Sequence, residues 1–131
     1  MSVTFFDLQN KNNPVNGTIF ANDDNLIASL REMQSREPFF CEIIGNENKL
    51  TIGIGPHKSC AQYSALSGDP PYLMAIGDNS DREDGELSFL IDDIATPVPC
   101  RYALSSNELW TVIDSFVKTE EPNSELYWEE I

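Results

Sequence analysis

Basic side chains and the residues of nucleophilic and metal chemistry are scarce in this 131-residue chain: eight Lys and Arg, one His and three Cys. Against those eight cations stand 22 Asp and Glu, a formal net charge of −14 at pH 7. Phosphate backbones and anionic lipid repel such a surface, so no direct binding to nucleic acid or to a membrane is expected. Nor does any run approach the roughly 18 apolar residues that a spanning helix needs. The opening "MSVTFFDLQNKNNP" lacks both the basic start and the apolar stretch of a signal peptide. A cytoplasmic location is the expectation.

The scarcity of Cys and His limits the chemistry further. Cys41, Cys60 and Cys100 are widely spaced and odd in number. All three fall in segments that read as strand, where a reduced thiol in a cytosolic protein packs as a small hydrophobe. His57 stands just before Cys60, and this pair is the one thiol–imidazole arrangement the chain offers. No orienting third group or oxyanion donor is marked beside it. A zinc-deaminase signature fails, because Lys58 and Ser59 follow His57 and Ala103 stands where a second cysteine would follow Cys100. "GIGP" lacks the rest of a dinucleotide or phosphate loop, and G-x-S-x-G is absent. The acidic run "GDNSDREDGELSFL" fails as an EF-hand: aligning Gly85 with the loop glycine puts Arg82 among the ligands and Ile91 in place of the closing glutamate. No catalytic residue, metal or cofactor is expected, and the chain does not read as an enzyme.

What is present reads as one globular domain over residues 1–131, with 40% hydrophobic and 23% charged residues. Val3, Phe5 and Phe6 suggest a first strand, followed by a loop. In "ANDDNLIASLREMQS", Asn22 or Asp23 caps a helix whose Leu26, Ile27, Leu30 and Met33 share a face. From residue 39 to 104 the period is two: "FFCEIIG", "KLTIGIGP", "CAQYSAL", "YLMAIG", "ELSFLI" and "PVPCRYAL", with turn residues between them. Ser105 and Glu108 form a capping box for a second helix, striped by Leu109, Val112, Ile113 and Phe116. "SELYWEEI" reads as a final strand anchored by Trp128. Trp110 and Trp128 are expected in the core. The fold class is α+β: a single antiparallel β-sheet with two helices packed on one face.

The negative charge is concentrated. Residues 78–93 carry seven acids against Arg82, and residues 118–131 carry five against Lys118. Solubility accounts for a negative total but not for this placement. Charges at strand ends also discourage sheet-to-sheet pairing; a basic partner is the other natural complement. On the second reading Asp78, Asp81, Glu83, Asp84, Glu86, Asp92, Asp93, Glu120 and Glu121 form the partner-binding surface.

Three stretches carry a resemblance: "LTIGIGP" (50–56), "YLMAIGD" (72–78) and the run 86–130. With Gly53, Gly55, Pro56, Gly77, Asp78, Phe116, Trp128 and Glu129 in that order, residues 39–130 resemble the first numbered immunity-protein family of bacterial polymorphic toxin systems. Members often have glycines between a strand pair where this chain has Asp92-Asp93. The resemblance implies a cytoplasmic protein that binds and inactivates a cognate toxin with a basic active-site cleft, a deaminase or a nuclease. Such a protein is a monomer or weak homodimer when free. Two other readings are a small enzyme using His57 and Cys60, and a nucleic-acid mimic that inhibits many DNA-processing proteins.

Overall fold

The computed structural model describes residues 2–78 and 84–131, so the expected contacts Asp81 and Glu83 lie outside the described residues. Chain order is β1 (Val3–Asp7), β2 (Ile19–Phe20), α1 (Asp23–Met33), β3 (Phe39–Ile44), β4 (Asn48–Ile54), β5 (Cys60–Ala65) and β6 (Leu73–Ile76). Then follow β7 (Glu86–Ile91), β8 (Ile94–Pro99), a 3₁₀ turn (Cys100–Tyr102), α2 (Ser106–Thr119) and β9 (Tyr127–Glu130). Among the described residues the strands form one sheet ordered β2-β1-β3-β4-β5-β6-β9, from which the β7–β8 hairpin branches at β3. The sheet is antiparallel throughout except at that branch, where Phe39 and Leu90 pair in parallel.

Period two decides which side of the sheet each residue serves. Phe39, Cys41 and Ile43 of β3, with Leu50, Ile52 and Ile54 of β4, face the helices and meet Leu26 and Leu30 of α1 and Leu109, Val112, Ile113 and Phe116 of α2. Both helices therefore cover one face, as the sequence pattern requires. Asn22 caps α1 by accepting the Asn25 N–H at 3.0 Å. The Ser105–Glu108 capping box starts α2, and Trp110 is buried on it while Trp128 packs against the same core.

The opposite face carries a second, smaller core that periodicity does not announce. There β7 and β8 fold back so that Phe89 and Val98 cover Phe40, Cys60 and Met74. Phe40 and Phe89 meet in a tilted arrangement, ring centroids 5.1 Å apart and planes inclined at 48°. Gly53 admits this contact: a Cβ there would lie 2.8 Å from the Phe89 ring and 2.8 Å from Cys60 Sγ.

One expectation is corrected, and one strand is added to the sequence reading. The segment expected as a strand through Leu104 ends at Pro99, and Cys100 sits in a 3₁₀ turn closed by Ala103 N–H donating to the Cys100 carbonyl at 3.0 Å. β7 begins at Glu86, opposite Pro99, so β8 has no strand to pair with beyond that point. β2, a two-residue strand paired to Val3 and Thr4, lies between the expected loop and α1, where the sequence pattern marks no strand. That loop is organised by Asp7, whose buried carboxylate accepts from the Gln9 and Asn10 N–H groups at 2.8 Å, Asn13 Nδ2 at 3.0 Å and Arg36 Nη1 at 2.9 Å.

Candidate partner-binding surface

The predicted acids fall in three places. Asp78 follows β6, and its N–H donates to Glu108 Oε2 at 2.9 Å, leaving its own carboxylate exposed. With Glu125, Asn107, Glu108, Thr111 and Leu126 it lines a shallow cavity of about 220 Å³. Asp84 and Glu86, both exposed, lead into β7. Glu86 borders a larger groove of about 440 Å³ with Pro38, Gly55, Pro56, His57, Lys58, Leu87, Ser88 and Phe89.

Asp92 and Asp93 form the tip of the β7–β8 hairpin, the length of a six-residue strand away from Glu86, or about 20 Å. Both have left-handed backbone, φ 49° and 64°, as a two-residue primed turn demands. That requirement explains why glycine is the easier residue at a turn of this kind. Both side chains are engaged within the fold. Asp92 pairs with Lys11 at 3.3 Å, and Asp93 Oδ1 accepts from Gln9 Nε2 at 2.6 Å. Asp84 and Glu86 therefore do not make one continuous patch with Asp92 and Asp93.

Glu120 has a structural task. It closes α2 in left-handed backbone, and its carboxylate accepts from the Asn46 and Glu47 N–H groups and from Asn48 Nδ2 in the β3–β4 turn. Tyr63 Oη donates to its carbonyl at 2.9 Å. Glu121 beside it is exposed. Sequence reasoning assigned both to one acidic tail; charge alone does not distinguish a carboxylate that caps a turn from one facing solvent. Conversely, Glu125 and Glu130, exposed in the same tail, were not singled out. Tyr127 and Ile131 join them as exposed apolar residues, and the alternation of "ELYWEEI" was the signal available for all four.

The rival thiol–imidazole site meets an electrostatic obstacle. Cys60 is buried beneath Gly53 and Phe89, and burial pushes its thiol up to about 12. Burial likewise raises the Cys41 thiol well above its ordinary value. A nucleophilic cysteine needs the reverse shift. His57 sits exposed on the groove wall, while Cys60 belongs to the second core.

Five further cations among the described residues are engaged within the fold. Arg36, Lys49 and Lys118 pair with Asp7, Glu42 and Asp114 at 2.9, 2.7 and 2.8 Å, Arg101 pairs with Glu129, and Arg31 lies 5.5 Å over the Trp110 ring. No group of His, Cys, Asp and Glu suited to a metal ion occurs among the described residues. No helix among them is long and apolar enough to cross a membrane. Comparison with protein-family models and with curated proteins returns no match.

Proposed function

We propose that this protein is a cytoplasmic immunity protein that binds a nucleic-acid-targeting toxin domain, a deaminase or a nuclease, and neutralises it by setting carboxylates against its basic active-site cleft. One observation carries the reading. Internal pairing occupies the cations named above, while Asp78, Asp84, Glu86, Glu121, Glu125 and Glu130 have no ion-pair partner among the described residues. The exposed surface thus presents unopposed carboxylates rather than a neutral mosaic. A protein that grips a polyanion must offer the opposite field, and opposite fields steer association towards about 10⁸ M⁻¹s⁻¹ at low salt. The order of the Gly53-x-Gly55-Pro56, Gly77-Asp78 and Trp128-Glu129 motifs supports the same reading through the family they resemble.

Any toxin domain encoded by the gene immediately upstream would be the partner to test. Two charge reversals separate the ends of β7: Asp78→Lys with Asp84→Lys and Glu86→Lys, against Asp92→Lys with Asp93→Lys. The first set should slow association by an order of magnitude or more and flatten its salt dependence. The second should have a smaller effect, because Lys11 and Gln9 already engage those carboxylates. Unchanged association for both sets would refute capture by acidic surface.

A further inference from the structure

We propose that the outer edge of β9 is a strand-addition site for an extended, cationic segment of the partner protein. The sheet ends among the described strands at β2, β8 and β9, and β7, which meets β3 at Leu90 alone, leaves a short outward stretch at Glu86 and Ser88 over the groove wall. Of the three ends, one offers a ladder of free main-chain groups. β2 is two residues long. On β8 the register is fixed by Cys100 N–H donating to the Gly85 carbonyl at 3.0 Å. Counting back in steps of two, Val98, Thr96 and Ile94 bond to β7, so Ala95, Pro97 and Pro99 face outward. Two of those three outward positions are prolines, which have no N–H to give a new strand.

β9 has no such block. Ile131 N–H donates to the Tyr72 carbonyl at 2.9 Å, which places Glu129 and Tyr127 in the bonded positions opposite β6. The N–H and C=O groups of Trp128 and Glu130 therefore point away from the sheet. Neither N–H has a hydrogen-bond partner among the described residues. Tyr127 and Ile131, 69% and 58% exposed, stand on one face of this edge with Glu129, which pairs with Arg101. Glu130, exposed, stands on the other beside Trp128, which packs against the helix-side core.

Charge selects the occupant. A second copy paired antiparallel about Glu129 or about Glu130 would set that acid against its own counterpart, and both chains carry a net charge of −14; like charges opposed across strands repel. A strand that alternates apolar and basic residues meets Tyr127 and Ile131 with one face and Glu130 with the other. Main-chain bonds then supply affinity and the side chains supply selectivity.

The inference rests on the proposed cationic partner, but its test needs only a probe: a short peptide alternating valine and lysine, mixed with the full chain at physiological salt. Hydrogen exchange read at single amides should slow at Trp128 and Glu130. N-methylating the peptide amides that face the edge should abolish binding. Glu130→Pro, which removes one outward donor, should weaken binding about fivefold or more. Glu130→Gln should keep the amide protection and lose part of the salt dependence. Absence of binding, binding without protection of those two amides, or equal binding of the N-methylated peptide would each overturn the proposal. So would concentration-dependent protection of the same amides without peptide, which would make a second copy the occupant. Should Glu130→Pro fail to fold, the N-methylated peptide against the unaltered protein still decides. Failure here leaves the charge-reversal result for the toxin standing, and failure there leaves the amide protection at β9 standing.

Discussion

Glu108 joins the start of α2 to the end of β6. One carboxylate oxygen accepts the Ser105 N–H at 2.9 Å and the other accepts the Asp78 N–H at 2.9 Å. A Cβ on Gly77 would come within 2.5 Å of the first oxygen, so glycine is what lets the strand end approach the helix start so closely. The Gly77-Asp78 pair, read in the sequence as part of a family pattern, has this mechanical role.

Glu108→Gln leaves one acceptor for two donors, and should cost about 1–2 kcal/mol in urea unfolding. Glu108→Ala removes both bonds and the capping box, and should cost about 2–3 kcal/mol. Equal midpoints for both variants and the parent would show that the carboxylate does not couple the two elements.

Much of this was legible. Alternation in "FFCEIIG" and "KLTIGIGP" marks the faces of β3 and β4, and the Ser105–Glu108 spacing marks the start of α2. What alternation cannot supply is the identity of the element covering the second face. Phe40 and Cys60 are apolar on the side away from the helices, but their cover, Phe89 and Val98, comes from a hairpin distant in sequence. β2 is too short to show any period. The acids divide for the same reason: Glu120 and Glu121 are identical in composition, yet only Glu120 lies within reach of the N–H groups at 46 and 47.

Stability should depend on pH through Asp7. Burial pushes its carboxyl up, but hydrogen bonds from Asn10, Asn13, Arg36 and Gln9 outweigh this and hold it below the ordinary value of 3.8. A depressed carboxyl stabilises the fold above its unfolded-state value, and that contribution disappears as pH falls through the folded-state value. The urea midpoint should therefore drop as pH is lowered from 3.8. Asp7→Asn leaves Arg36 without its charge partner and should cost about 3 kcal/mol near neutral pH. It should also flatten the acid limb; an unaltered limb would place the titration elsewhere.

The three thiols should be silent in the folded protein. Cys41, Cys60 and Cys100 are all buried. An aromatic disulfide reagent at neutral pH should label them only after denaturant is added. His57→Ala with Cys60→Ala should leave toxin neutralisation intact, whereas an enzyme working through that pair would lose it. Rapid labelling of Cys60 in the native state would reopen the thiol chemistry.

Gly53 and Phe89 should be energetically coupled. Gly53→Ala drives a methyl into the Phe89 ring and Cys60 Sγ, each at 2.8 Å, and overpacking of this kind costs about 1–3 kcal/mol. Phe89→Ala empties the second core and should cost about 3–5 kcal/mol. In the double variant the new methyl occupies space that the ring has vacated, so the combined cost should fall short of the sum by about 1 kcal/mol or more. Cys60 Sγ still limits the rescue, so it should be partial. Because Phe40 packs against the same ring, Phe40→Ala serves as the comparison: it removes apolar contact but leaves the Gly53–Phe89 clash in place. Additive costs for Gly53 and Phe89, with the same non-additivity for Gly53 and Phe40, would mean that β7 does not lie over β4 as described.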